Sequence, residues 1–217
     1  MRMYNPEWEA IKDLDYTPQA IDAQFDLIGA EIPLDHGEIL HRELLRHLPW
    51  LEGLSGVGVH PIHGAPSGRN DNMVINRRVK LVLRLPLERV EAVRHLCGQS
   101  LELGAGTIRV GDLKTRALMP YATLYSHFVV TGQDDETEFL AAARQGLDAL
   151  GVQAGLIPGK RRTMCVSVRE VSGYSLMLHD VDLIQSMRIQ EQGLGLYRSH
   201  GCGLFIPHKS IKEVAAY

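Results

Sequence analysis

Strand and helix patterns follow one another along this 217-residue chain in an order that occurs twice. Alternating apolar and polar residues predict strands, and apolar stripes at helical spacing predict helices. The first series is strand 21–32, a helix to about 47, strands 57–62 and 79–85, helix 87–96, and a ribbon of 101–103 and 107–113. The second is strand 122–130, helix 137–150, strands 160–168 and 173–178 around a turn near 170–172, helix 181–192 and strand 204–206. Each series therefore has the order β-α-β-β-α-β.

This order is that of a ferredoxin-like domain. We therefore predict an α+β fold of two tandem ferredoxin-like domains, spanning residues 19–119 and 120–217, after a loose N-terminal arm of residues 1–18. A glycine-rich loop should precede the last strand of the second domain. The repeat is one of pattern only, because the two halves share no sequence repeat.

The composition indicates a soluble globular protein, with 45% hydrophobic and 23% charged residues. No apolar run approaches the roughly 18 residues that a membrane span needs, and the N-terminus lacks the apolar core of a signal peptide. Three widely spaced cysteines argue against a disulfide framework or a zinc site. We expect a cytoplasmic protein that uses no metal and no cofactor.

Charge is unevenly distributed along the chain, although the net charge of −3 gives no overall signature of nucleic-acid binding. Residues 1–60 carry 11 acidic against 4 basic side chains. Residues 193–212 contain three basic residues and no acid, and Lys160, Arg161 and Arg162 form a second basic cluster. Together these segments could make one cationic surface.

The C-terminal segment from Gly193 to Gly203 is unusually rich in glycine. It contains four glycines interleaved with one aromatic and two basic side chains, namely Gly193, Gly195, Gly201 and Gly203 with Tyr197, Arg198 and His200. Glycine lets a ligand approach backbone amides closely, and cationic and aromatic side chains suit a phosphate-bearing ligand with stackable bases. The dinucleotide and P-loop fingerprints do not fit, since this loop follows a helix and enters a strand. A flexible surface loop is the alternative.

Several short motifs resemble those of the CRISPR repeat-RNA processing endoribonucleases, within the repeat-associated RNA-binding superfamily. They are IPLDHG (32–37), GVHPI (58–62), GKRRT (159–163), GYSL (173–176) and GCGLFIPHKSI (201–211). The resemblance covers roughly residues 20–211 and is specific in combination only.

The resemblance implies a metal-independent endoribonuclease that cuts CRISPR precursor RNA within each repeat. In that family the 2′-hydroxyl attacks its own phosphodiester and leaves a 2′,3′-cyclic phosphate and a 5′-hydroxyl. Such chemistry needs a base, an acid and cations at the phosphorane, and histidine suits the first two tasks near neutral pH. Repeat RNA is the implied partner, and subunits of an effector complex are further candidates.

His36 is the leading catalytic candidate, because its ring could reach outward from a strand-to-helix corner where the family places a catalytic residue. Its alternative is a ring that merely covers the first helical turn. His41, five residues on, is the second candidate. His60 could contact RNA or stabilise a turn, and it pairs with His63 without an evident third metal ligand. His200 could touch RNA from the glycine loop.

Basic side chains supply the remaining RNA-binding candidates. Successive residues of a strand point to opposite faces, so at most two of Lys160, Arg161 and Arg162 can meet one ligand. Arg42 and Arg46 lie four residues apart on one helix face and could line the cleft near His36. Tyr197 and Arg198 could stack on RNA or clamp it.

Two other classes of function stay open at this point. The first is a non-catalytic RNA-binding subunit of a CRISPR effector complex, in which the same fold would serve and His36 would be structural. The second is a ferredoxin-like regulatory module that binds a small metabolite and has no affinity for RNA.

Overall fold

The computed structural model describes residues 16–29, 31–54, 56–68, 71–104 and 106–209, so residues 1–15 of the predicted N-terminal arm lie outside it. Its strands are β1 (Ala20–Ile28), β2 (Glu31–Pro33), β3 (Gly58–Val59), β4 (Ala65–Pro66), β5 (Asn72–Val74), β6 (Lys80–Pro86), β7 (Ser100–Glu102), β8 (Thr107–Ala117), β9 (Leu124–Val129), β10 (Gly155–Val166), β11 (Arg169–His179) and β12 (Ile206–Pro207). Its α-helices are α1 (Gly37–His47), α2 (Val90–Val93), α3 (Glu136–Ala149) and α4 (Leu183–Gln192). Short 3-10 turns cover Pro49–Leu51, Leu87–Arg89, Arg94–Leu96 and Arg198–His200.

Two antiparallel sheets carry the strands in the orders β3-β6-β1-β8-β7 and β10-β11-β9-β12. In each sheet the first strand lies between the third and the last strand of its series, which is the strand order of a ferredoxin-like unit. A small third sheet has the order β2-β5-β4. The predicted fold class is confirmed, and the predicted boundary between residues 119 and 120 falls between β8 and β9.

The helices begin where the sequence supplies caps and apolar stripes. Asp135 and Asp182 each accept two backbone N–H bonds at the starts of α3 and α4. In α1 the buried side chains Leu40 and Leu44 pack into the core of the first unit. No helix in the described ranges has the length and apolarity needed to cross a bilayer.

The predicted strand over residues 21–32 is in fact two strands. β1 ends at Ile28 and belongs to the first sheet, whereas β2 pairs with β5 in the small sheet. At Gly29 the backbone passes so close to Ile108 that an added Cβ would clash with its side chain. The polar–apolar alternation of the sequence gives no sign of this break between β1 and β2.

The β10–β11 turn also lies elsewhere than predicted. Val166 pairs with Arg169, so the loop is Ser167–Val168 rather than a turn near 170–172. Both loop residues have positive φ, 46° and 65°, without a glycine to relieve it. The lengthened hairpin is held by the first unit, because Asp35 accepts the Cys165 N–H at 3.1 Å and Glu38 accepts the Ser167 N–H at 3.2 Å.

A buried arginine joins the two units. Arg84 of β6 is 1% exposed and donates two hydrogen bonds to Asp22 of β1, at 2.8 and 3.1 Å. The same guanidinium donates to the carbonyls of Gln190 (3.0 Å) and Phe205 (2.7 Å) in the second unit. A single buried cation therefore bonds with both halves of the chain.

The glycine-rich loop is packed into the second unit rather than free. Leu194 and Gly203 bond to each other across the loop, while Leu196 N–H donates to Val130 and Gly203 N–H donates to Phe128. Gly203 has a φ of +66°, and an added Cβ would overlap the carbonyl oxygen of Leu194. The glycines thus permit close backbone packing inside the protein.

Replacing Gly203 by alanine should therefore lower the free energy of unfolding by about 3 kcal/mol, because left-handed strain adds to a backbone clash. Urea denaturation measures this loss. The matched control is Gly132→Ala, where φ is +87° but no atom lies within 4 Å of the new Cβ. In this control variant only the left-handed backbone strain should lower the free energy of unfolding, by about 1 kcal/mol. Equal losses in the two variants would show that the clash is relieved without cost.

Candidate active site

The corner between β2 and α1 opens into a cleft of about 590 Å³, named here the corner cleft. Seven histidine, arginine and aspartate residues from both units line it: Asp35, His36, His60, His63, His127, Arg162 and His200. The corner cleft lies between the two units and includes the strand-to-helix corner at which the sequence placed the leading candidate His36.

His36 itself is 5% exposed, so the expectation of an outward-reaching ring is wrong. Its Nδ1 lies 3.1 Å from the Pro33 carbonyl and 3.0 Å from the Leu34 carbonyl, while Nε2 accepts the Ile62 N–H at 3.0 Å. Carbonyl oxygens only accept, so Nδ1 carries the hydrogen. Burial lowers the pKa of His36, although the two carbonyls favour the protonated ring. Both ring nitrogens are therefore occupied in holding the corner to the β3–β4 connection.

A second cleft, of about 800 Å³, lies between α1 and the glycine-rich loop and is named here the loop cleft. Its polar lining includes His41 and Glu52 from the first unit, with Tyr197, Ser199 and His200 from the second. The rings of His41 and His200 are in contact, with centroids 4.1 Å apart and ring planes tilted by 41°. Two imidazoles from opposite ends of the chain thus meet at a solvent-accessible surface.

His200 is oriented by two neighbours, whereas no hydrogen bond of the His41 ring is found among the described residues. Glu38 lies 3.2 Å from His200 Nε2, and Ser199 Oγ lies 3.1 Å from Nδ1. Burial lowers the pKa of both imidazoles; His41 lowers that of His200 further, and Glu38 raises both. The pair can therefore hold one proton far more readily than two.

The two side chains expected to grip RNA from the glycine-rich loop are placed differently from each other. Tyr197 has a φ of +60°, lines the loop cleft and presents its ring edge-on to His200 at 5.9 Å. Arg198 also lines the loop cleft, but its guanidinium donates to the carbonyl of Glu191 at 2.8 Å, and burial lowers its pKa to about 10. Arg198 thus ties the loop to the end of α4.

His60 lies inside the protein beside the Arg84 network. Its Nε2 is 3.7 Å from Asp22 Oδ1, beyond hydrogen-bond distance, and is buried without a partner among the described residues. Burial lowers the pKa of His60. In the described part of the chain, no three His, Cys, Asp or Glu side chains form a group that could hold a metal ion.

The basic cluster of β10 splits between two faces. Arg162 lines the corner cleft near His63 and His127, while Arg161 points to Asp134, 3.7 Å away, at the start of α3. Lys160 is exposed. On α1 the side chains of Arg42 and Arg46 are exposed and lie outside the linings of both clefts, and Arg46 pairs with Glu43 at 2.8 Å.

Sequence reasoning gave no site role to two residues at these clefts, His127 and Glu38, and considered His63 only together with His60, as an RNA contact or part of a turn. His63 and His127 stack with centroids 4.4 Å apart, and Glu38 contacts His200. His127 occupies an outward position in the alternation of β9, and that signal could have found it. The proximity of Glu38 and His200 joins positions 162 residues apart and leaves no local sequence signal.

The sequence of residues 21–210 matches the Cas6 CRISPR family. The CRISPR-associated endonuclease Cas6 of Myxococcus xanthus (strain DK1622) is 37% identical over 188 residues, covering 86% of this chain and 81% of that protein. The chain belongs to the Cas6 family. This confirms the resemblance drawn from the short motifs and the assignment of the chain as an endoribonuclease.

Solved structures agree with this Cas6 assignment at the level of the fold. A CRISPR-associated protein Cas6 has a TM-score of 0.67 at 12% identity, covering 88% of this chain and all of that one. Thermus thermophilus Cse3, solved with an RNA that represents a pre-cleavage complex, has a TM-score of 0.53 at 16% identity, covering 88% and 100%. The tandem ferredoxin-like architecture is thus shared by Cas6 proteins whose sequences have diverged widely.

Proposed function

We propose that this enzyme cuts CRISPR precursor RNA within its repeats to release guide RNAs, leaving a 2′,3′-cyclic phosphate and a 5′-hydroxyl. Membership of the Cas6 family and the fold shared with an RNA-bound Cse3 support the substrate class. The observation that carries the chemistry is the contact between the His41 and His200 rings in the loop cleft.

The reaction needs two proton transfers and no redox step. The 2′-oxygen loses its proton to a base and bonds to the adjacent phosphorus, while the bond from phosphorus to the 5′-oxygen breaks and that oxygen takes a proton from an acid. His41 is suited to the base, because burial lowers its pKa and keeps the ring neutral at physiological pH. The pKa of His200 is also lowered by burial, but Glu38 beside it opposes that shift and stabilises a bound proton, so His200 is the better suited of the two to the acid.

His36 was the first catalytic candidate, and its contacts support a positioning role instead. A ring whose two nitrogens are bonded to backbone atoms cannot reach a substrate proton without breaking the corner. The same contacts fix where α1 begins, and α1 carries both His41 and Glu38. His36 would thus act on catalysis through the placement of this helix.

The RNA surface would extend from the loop cleft over the exposed cations of the chain. Arg42, Arg46, Lys160 and Arg161 are exposed, and Arg162 lines the corner cleft. Tyr197 would stack beside His200, whereas His60 and Arg198 would support the surface from within. Gly193, Gly195, Gly201 and Gly203 shape the loop backbone that borders the site.

Cognate repeat RNA incubated with the enzyme and excess EDTA should give a 5′ fragment that ends in a 2′,3′-cyclic phosphate. Mass spectrometry of the fragment identifies that end. A matched RNA with one 2′-deoxyribose at the cleavage site should remain whole, because the nucleophile is missing. Tight binding without cleavage would instead favour a non-catalytic subunit of an effector complex, and cleavage of the deoxy RNA would exclude 2′-hydroxyl attack.

A further inference from the structure

Four aromatic side chains form a continuous row that none of the roles above uses. His63 stacks on His127 at 4.4 Å between centroids, His127 meets Tyr125 edge-on at 4.9 Å, and Tyr125 contacts His208 at 5.6 Å. His63 and His208 are exposed, and Tyr125 and His127 are partly exposed. Rings in such a row offer several π-faces and edges within the reach of one short ligand.

Tyr125, His127 and His208 lie along the open face of the second sheet, and His63 reaches this face from the β3–β4 connection of the first unit. Along β9 the burial alternates from residue 124 to 128, so that Leu124, in the core beneath α3 and α4, and Ser126 are buried, while Tyr125 and His127 point away from that core. β12 continues beside β9, with His208 N–H bonded to the Thr123 carbonyl at 3.0 Å. The helices thus cover one face of β9 and leave the other to the rings.

Cationic side chains flank the row where a nucleic-acid backbone would run. Arg162 shares the corner cleft with His63 and His127. A neighbouring groove of about 240 Å³ is lined by the same two histidines together with Arg78 and Lys80. Rings between cations are a combination that binds single-stranded nucleic acid through base stacking and phosphate contacts.

The row also leads to the proposed active site. His127 and His200 line the same corner cleft, and the ring of His200 contacts that of His41 in the loop cleft. A strand laid on the rings would therefore enter the corner cleft and continue toward the reacting pair.

We propose that His63, His127, Tyr125 and His208 form a stacking platform for unpaired nucleotides of the RNA substrate. This proposal rests on the proposed function for the identity of the nucleic acid. Burial, together with neighbouring His63 and Arg162, lowers the pKa of His127 to about 4, and burial and Arg162 also lower that of His63. Both rings are neutral at physiological pH, which suits stacking on bases, and the arginines supply the charge.

The test uses the full-length enzyme and two fluorescein-labelled probes of equal charge, octa-adenylate and an octamer of abasic riboses. The wild type should bind octa-adenylate at least tenfold more tightly in fluorescence anisotropy, since only that probe can stack. Tyr125→Ala and His127→Ala should each reduce this ratio by about tenfold. Tyr125→Phe and His127→Phe should retain it because the ring remains.

Tyr121→Ala and His179→Ala are the matched controls, since they remove a partly exposed tyrosine and histidine of the second unit that lie outside the row. They should leave the probe ratio unchanged. An unchanged ratio in folded Tyr125→Ala and His127→Ala proteins would overturn the platform, and so would loss of the ratio in the phenylalanine variants. Cleavage of cognate repeat RNA by the wild type, measured in parallel, tests the proposed function separately.

Discussion

The alanine variant of His41 is expected to cut repeat RNA roughly 10² to 10⁴ times more slowly than the wild type in single-turnover experiments. The ring faces the loop cleft beside His200, and its loss removes a proton carrier without removing a core side chain. Affinity for uncleaved RNA should change less than threefold. The rate and the affinity are measured with the same labelled repeat, by gel and by anisotropy.

Two other histidine variants make this test decisive. His47→Ala changes the last residue of the same helix, where the ring contacts the Ser100 carbonyl, and should leave the rate nearly unchanged. His36→Ala should lower the melting temperature, because the Ile62 N–H and two carbonyls lose their partner. If His41→Ala cuts at the native rate while a fully folded His36→Ala protein does not, His36 is the catalytic histidine.

The acid side of the pH profile of the single-turnover rate should follow the lowered pKa of His41. A base whose pKa is lowered stays neutral, and therefore active, at pH values where an ordinary histidine is protonated. The rate should consequently hold down to about pH 6.5, the usual histidine pKa, and fall only below it. A fall that begins near pH 8 would contradict His41 as the base.

Replacing Arg84 by methionine should lower the free energy of unfolding by about 3 to 5 kcal/mol, the largest stability loss that we expect from a single substitution. The variant leaves the carboxylate of Asp22 buried without its cation and removes a donor from two carbonyls of the second unit. Urea denaturation measures the loss. Arg94→Ala is the control, because its ion pair with Glu91 is exposed to solvent and should contribute little to stability.

A second substitution separates two contributions to this stability loss, namely the unpaired charge of Asp22 and the bonds that Arg84 makes to the second unit. Asp22→Asn combined with Arg84→Met removes both charges and should recover part of the stability that Arg84→Met alone loses. A double variant no more stable than Arg84→Met would show that the bonds from Arg84 to the second unit, rather than the stranded carboxylate, dominate the cost.

Acid should weaken the wild type through the same carboxylate. Burial alone would raise the pKa of Asp22, but His60 and Arg84 lower it well below the usual range. A carboxyl group whose folded pKa lies below its unfolded value, about 3.9, stabilises the fold fully above about pH 5. That contribution is lost as the pH falls toward the folded pKa, so the Asp22→Asn variant should lose less stability between pH 5 and pH 3.

The order of strands and helices was predictable, because the local spacing of apolar residues indicates each element. β9 alternates buried and exposed residues, and α3 and α4 begin at aspartates, so a short window of sequence contains the needed signal. The Ser167–Val168 turn was not predictable, since neither residue favours positive φ. Contacts with Asp35 and Glu38, more than 125 positions away, help to hold that hairpin instead.

The sequence singled out individual residues of the candidate site, but it did not predict their contacts with one another. His36, His41 and His200 were all singled out, but their side-chain types and neighbours could not distinguish a ring bonded into the backbone from one open to a cleft. The His41–His200 pair joins positions 159 residues apart, and only the docking of the two units brings them together. The glycines of the loop were predicted to let a phosphate approach the backbone. At most of them it is neighbouring backbone of the protein that lies close instead.

The carboxylate of Glu38 connects the β10–β11 hairpin to the ring of His200. One oxygen of this carboxylate contacts both the Ser167 amide of the hairpin and the ring of His200. Any occupant that lifts the hairpin from α1 breaks the first contact and leaves the full charge of Glu38 to His200. A displacement of the hairpin tip would thus raise the proton affinity of the imidazole that we propose as the acid, and it would couple the proposed cleavage step to the position of the hairpin.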